Sequence, residues 1–235
     1  SEPVSDQHLY NGPAWASSVS WHNLLMLRNI TMKNSHKTLL AAAISLGLMA
    51  GCHSNNDSKA PDPMVRFATF NLSFDRTAPG MLAGELALDR AAQDALLARY
   101  QEGDTSLGKA EITQAKNVQQ IRNIAEIVQR TRPDVFLLNE FDNDGKGEST
   151  TDLKAFNDNY LAHAQHGEVQ AISYPVMQNF ATNTGLMSGH DLNLDGKLSS
   201  GPDDAWGFGN YHGQYAFAVM SKYPIDTKGI RTFQH

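Results

Sequence analysis

The sequence predicts an α/β fold, a sheet with helices packed against it, and three stretches carry that expectation. Residues 113–130 are a long amphipathic helix, because Val118, Ile121, Ile124, Ala125 and Val128 recur at three- and four-residue steps and line one stripe. Pro133 ends it, and residues 135–138 (VFLL) follow at once as a short continuous apolar run, the pattern of a strand covered on both faces. Residues 65–70 (VRFATF) and 215–221 (YAFAVMS) are strand-like in the same way, rich in β-branched and aromatic residues.

The remaining elements fill in between. Residues 84–100 read as one helix, with Leu86, Ala91, Ala92, Ala95, Leu96 and Leu97 among charges, and two glycines in 101–108 break it. Residues 152–163 read as a helix with Leu153, Phe156 and Tyr160 on one face. A strand is expected over 169–176, interrupted by Pro175, and another begins at 230–233. Residues 178–214 form a long glycine-rich polar stretch, and loops of that length are usually functional or disordered.

The chain has 235 residues, 41% hydrophobic, with a formal charge of −6. That suits one domain with a real core and argues against a general basic surface for nucleic acid. The single cysteine, Cys52, excludes an internal disulfide.

Cys52 ends a recognisable segment. After Met32 come Lys33 and Lys37, then an uncharged, mostly apolar run over 38–50, then Met49-Ala50-Gly51-Cys52. The run is too short for a membrane span and right for a signal-peptide core. Its end resembles the bacterial lipobox, with Met49 where leucine is usual. That resemblance implies cleavage before Cys52 and a diacylglycerol on its sulfur, placing the protein in the cell envelope as an exported lipoprotein. A buried helix with an incidental cysteine is the alternative. Residues 52–63 are polar and proline-containing, a flexible tether. Residues 1–31 show no sustained period and read as an upstream extension without function, or else as a genuine leader.

Chemistry is sought first at Asn71 and Glu140. Each follows a predicted buried strand, where ligand groups collect in α/β sheets. Either one alone is more simply a turn residue or a solvated loop charge.

In order along the chain come Thr69-Phe70-Asn71, then Pro133-Asp134-Val135 with Asn139-Glu140, then Ser221-Lys222-Tyr223-Pro224-Ile225. As a set they resemble the endonuclease/exonuclease/phosphatase superfamily, which includes secreted DNases, bacterial sphingomyelinases and inositol polyphosphate phosphatases. The resemblance implies a DNase I-like four-layer α/β sandwich. It implies that Asn71 positions the metal-side carboxylate and the phosphate. It implies that Glu140 holds Mg²⁺ (or Mn²⁺), with a structural turn at 221–225 whose lysine is solvated. The family's later motifs, of the G-D-F-N and S-D-H types, supply the base and the water-holding pair. They are absent before His235. The domain over 64–235 is therefore expected to be partial, with its C-terminal half missing and the fragment inactive.

Two further sites are weighed. His212 lies between Gly209 and Gly213, where the backbone can approach a phosphate, and a surface-loop histidine is the alternative. Asp191, Asn193 and Asp195, followed by Gly196, open like a calcium-binding loop, but Pro202 stands where the bidentate Glu belongs. A loop of Asx turns without Ca²⁺ is the alternative.

The expected function is exported, metal-dependent phosphoester hydrolysis. The substrate is nucleic acid, a phospholipid headgroup or a small phosphoester, and the acidic balance disfavours a tight nuclease. The membrane enters through the lipid anchor, and no feature points to a protein partner. The rival is a non-catalytic, lipid-anchored domain of the same fold, or an inactive gene fragment.

Overall fold

A computed structural model of the chain describes residues 64–233. The extension, the signal segment, Cys52 and the tether to residue 63 lie outside the described residues.

Four strands form one mixed sheet in the order β1-β2-β4-β3. They are β1 (Phe67–Phe74), β2 (Val135–Phe141), β3 (Val176–Asn179) and β4 (Phe217–Ser221). β1 and β2 run parallel, with Thr69 opposite Leu137 and Asn71 opposite Asn139. β4 is antiparallel to both β2 and β3. The parallel pair needs a crossover, supplied by α1 (Met81–Leu86), α2 (Arg90–Gln101) and α3 (Lys109–Thr131).

The three strands expected near 65–70, 134–139 and 215–221 are thus neighbours, and other boundaries moved for local reasons. The single helix expected over 84–100 is two, because Asp89 accepts a hydrogen bond from Ala92 N (2.8 Å) and caps α2 afresh. α3 begins four residues early, where Glu111 accepts from Gly108 N at 2.9 Å. Beyond α4 (Thr151–Phe156) the helix widens into a π turn, Asn157–Leu161. The strand expected over 169–176 starts at Val176 instead. Pro175 has no N–H to give a ladder, and Ile172 and Tyr174 are used as buried plugs. Ile230–Phe233 pairs with no strand among the described residues.

The core lies between one face of the sheet and the helices. Leu72, Phe74, Phe136, Leu138, Phe141, Ala218 and Met220 point inward from the strands. Val118, Ile121, Ala125 and Val128 meet them from α3, with Phe156 from α4 and Tyr160 from the π turn after it. Phe156 sits edge-on to Phe74, centroids 5.5 Å apart. Each large side chain fully buried here contributes about 1.5–3 kcal/mol. The opposite face is different. Phe67 is 73% exposed, and Thr69, Asn71 and Ser73 are exposed with it. Val135 and Leu137 are half-buried, so the VFLL run is fully covered on one face only among the described residues.

Candidate active site

The sheet's carboxyl edge is built from irregular backbone. β1 does not stop at Asn71 but continues through a register shift between Asn71 and Phe74. Over that shift β1 spends one residue more than β2, which makes a bulge. Ser73 (φ 51°) in β1, Glu140 (φ 54°) in β2 and Tyr215 (φ 60°) just before β4 all adopt the left-handed conformation. Each such residue costs an L side chain roughly 1–2 kcal/mol. Three of them on neighbouring strand ends mark a place where the tertiary structure holds the chain against local preference.

The geometry places the predicted pair together. Asn71 pairs with Asn139, the residue before Glu140, so both groups leave parallel strands at the same edge. Leu138 and Phe141 are both in the core, so the left-handed turn at Glu140 sets Asn139 and Glu140 together off it. Asn139 Nδ2 donates to Thr69 Oγ1 at 2.9 Å. Asn71 Oδ1 accepts from Ser73 N at 2.9 Å, which orients the amide and leaves Nδ2 as its outward donor. The Glu140 carboxylate is half-buried and has no hydrogen-bond or ion-pair partner among the described residues.

Around this pair stands a clamp that sequence reasoning missed. Asp142, buried at 6% exposure, accepts from Arg76 N at 2.7 Å and from Tyr215 N at 2.9 Å, and also from the Tyr211 hydroxyl. One carboxylate thus ties the exits of β1 and β2 to the entry of β4. Burial pushes the Asp142 carboxyl above the ordinary range, and the three hydrogen bonds oppose it. Burial likewise raises the phenols of Tyr211 and Tyr215, with Asp142 and Asp75 adding to it; for Tyr215 the charge of Glu140 adds further. Beneath the clamp, Arg76 Nε and Glu85 Oε2 form an ion pair at 2.6 Å, their side chains 5% and 3% exposed. Asn117 and Gln214 complete it, donating to Glu85 Oε1 (2.6 Å) and to Arg76 O (2.8 Å). The only hint in the sequence was position: Asp142 lies two residues beyond Glu140, and Arg76 five beyond Asn71.

His212 lies in the 209–214 segment, which the Tyr211 hydroxyl joins to Asp142. Its Nε2 is 3.0 Å from the Thr182 carbonyl, so Nε2 must be the donor. The ring lies against Gly145, where an added Cβ would collide with it. Gly185, at φ 66°, likewise has no room for a side chain beside the Tyr211 carbonyl. The histidine thus pins the 143–147, 180–185 and 209–214 segments together.

In the 191–196 loop, Asp191 accepts from the backbone of Asp195 (3.1 Å) and Gly196 (2.8 Å), and Asn193 from Asp195 (3.1 Å). Asp195 accepts from Lys197 N at 2.9 Å. Buried Asp204, not residue 202, closes the loop by accepting from Leu192 and Ser199. These are Asx turns. Among the described residues no three His, Cys, Asp or Glu side chains group as a metal cage. Lys222, expected in solvent, instead donates to Asp134 Oδ1 at 2.9 Å, while Arg66 N donates to Asp134 Oδ2 at 2.8 Å. The R-P-D and S-K-Y-P segments are therefore joined physically, as a brace at the other end of the sheet.

Among the described residues the fold is thus a mixed α/β sheet with helices that brings Asn71, Asn139 and the unpartnered Glu140 to one edge. The chain matches the Endonuclease/Exonuclease/phosphatase family over residues 68–235, most of its length, and belongs to that family. No curated protein and no solved structure matches it.

Proposed function

We propose that this chain is part of an exported phosphoester hydrolase in which Glu140 holds Mg²⁺, or Mn²⁺ in its place. The observation that carries the reading is the Glu140 carboxylate itself, left half-buried without a donor on a strained residue beside Asn71. A carboxylate that no donor of the protein satisfies is free to take a cation. A hard divalent ion is commonly held by one or two carboxylates with water and phosphate completing its shell, so a lone glutamate fits it. When bound, such an ion offsets charge building on the phosphoryl and leaving oxygens.

The protein's own groups have separate tasks. Glu140 supplies the negative charge. Asn71, oriented by Ser73 N–H, turns its Nδ2 donor toward a phosphoryl oxygen. His212, bonded to a backbone carbonyl, holds the surrounding loops. The family resemblance assigns the base that takes the proton from water to segments of the G-D-x-N and S-D-H types. A lipid on Cys52 holds the domain at the cell envelope. Calcium at the 191–196 loop is a second, independent proposal, since Asx-turn oxygens can also face a cation.

Manganese titration followed by electron paramagnetic resonance tests the first cation on this chain directly. The wild type is expected to bind one Mn²⁺, displaced by Mg²⁺, and Glu140→Gln to lose it. Equal binding by both proteins removes the role given to Glu140. Calcium in the same titration is expected to be weakened by Asp195→Asn and untouched by Glu140→Gln. In a product carrying the later motifs, Glu140→Gln is expected to lower bis-p-nitrophenyl phosphate turnover by about a thousandfold, several kcal/mol at about 1.4 per tenfold. Asn71→Ala removes a donor without the charge and is expected to cost less, about a hundredfold.

A further inference from the structure

Three residues at the sheet's carboxyl edge, Ser73, Glu140 and Tyr215, hold a left-handed backbone that an L side chain disfavours. Such conformers persist only where the surrounding structure fixes them. The hydrogen bonds around all three lead to one acceptor.

That acceptor is Asp142. Tyr215 N, of a left-handed residue, donates to Asp142 Oδ1 at 2.9 Å. Arg76 N donates to Oδ2 at 2.7 Å, and Arg76 Nη1 reaches back to donate to the Ser73 carbonyl at 3.2 Å. The Tyr211 hydroxyl completes the set on Oδ2. Glu140 stands two residues before Asp142. On one side of it β2 is held in register at Asn139, opposite Phe217, and on the other Phe141 N donates to Ala216 O at 2.9 Å. Asp142 is 6% exposed and both its oxygens already accept, so it is not itself a group that meets a ligand. The Glu140 carboxylate is half-buried with no partner among the described residues. The free carboxylate therefore takes its direction from a turn that the bonded one anchors.

We propose that Asp142 is a positioning residue, which holds Glu140 in its left-handed turn through Tyr215 N, Arg76 N and the Tyr211 hydroxyl and so aims the Glu140 carboxylate at the cation. The assignment rests on the cation role given to Glu140 above. Three donors meet two oxygens here, and a carboxylate satisfies them because both of its oxygens only accept. An asparagine of the same shape would offer one oxygen and turn an N–H toward another donor. Without the strand ends tied together, Glu140 relaxes toward the extended backbone of β2 and its carboxylate loses that direction.

Two measurements on the whole chain test this. Manganese titration followed by electron paramagnetic resonance reads cation affinity. The three-bond coupling between the Glu140 amide and α protons, from NMR, reads φ of that residue. Asp142→Asn is expected to weaken Mn²⁺ binding by about ten- to a hundredfold, the usual effect of losing a group that orients a metal ligand. It is also expected to move the Glu140 coupling toward the extended value. Tyr211→Phe removes one donor of the three and is expected to weaken binding by about threefold, roughly one ordinary hydrogen bond. Ile121→Ala, a core change away from the edge, is expected to lower the melting temperature and leave Mn²⁺ affinity as in the wild type. Wild-type affinity in Asp142→Asn overturns the proposal. So does an unchanged Glu140 coupling, or a loss of affinity that Ile121→Ala reproduces. If Asp142→Asn does not fold, Tyr211→Phe decides on the same two readouts. Failure of the cation reading shows separately, as Mn²⁺ binding indifferent to Glu140→Gln. That result overturns the aim at a cation, and the Glu140 coupling then decides whether Asp142 sets the turn.

Discussion

Asp142 shows most plainly how one residue organises the edge. Three donors converge on its carboxylate, yet burial still raises its pKa. A carboxyl raised in the folded state binds its proton more tightly there than in the unfolded chain. Its contribution is therefore fully present below the unfolded value, about 4, and is lost as pH rises through the folded one. The melting temperature of the wild type, compared with Asp142→Asn, should fall progressively across that window. An unchanging difference would mean that Asp142 keeps its ordinary pKa. The Arg76–Glu85 pair is a separate matter, because removing one partner strands the other's charge. Glu85→Gln is expected to cost about 3–5 kcal/mol in urea unfolding.

At the scale of elements, α3 supplies more core residues than any other helix. Its stripe was legible because a 3.6-residue period shows wherever one face is buried, and Val118, Ile121, Ala125 and Val128 are all buried as that period requires. Ile121→Ala is expected to destabilise by about 2–5 kcal/mol. The long glycine-rich stretch was legible only as a loop. Its architecture depends on backbone-to-backbone approaches that no side-chain pattern announces. Gly185→Ala tests this, since the residue combines φ 66° with contact to the Tyr211 carbonyl. The expected result is faster proteolysis within the 180–216 region while the α3 core stays folded. The register shift in β1 was equally hidden, because Asn71-Leu72-Ser73-Phe74 still alternates polar and apolar like a regular strand.

For the whole molecule, the folded domain and the targeting segment are separate questions. Among the described residues no helix is long and apolar enough to cross a membrane. The proposed attachment rests on Cys52, which precedes the family match at residue 68. Labelled palmitate is expected to enter the wild type and to be lost in Cys52→Ala. Incorporation that persists in the variant would remove the lipid anchor. The net charge of −6 remains relevant at this scale, since it disfavours the many phosphate contacts of a tight nuclease.

The sequence by itself determined the fold class, three of the strands, the main helix and the edge where Asn71 and Glu140 meet. Those follow from periodicity and from strand order, which are properties of short stretches and their succession. Only the tertiary structure decided that Glu140 sits in a left-handed turn off the core, that Asp142 and Tyr211 clamp the edge, and that Lys222 pairs with Asp134. It also decided that the Arg76 guanidinium is buried against Glu85 with its Nη2 unpartnered. The residues concerned are between 66 and 138 positions apart. Such pairings arise when burial withdraws water from polar groups and each must find whatever partner the packed chain brings within reach.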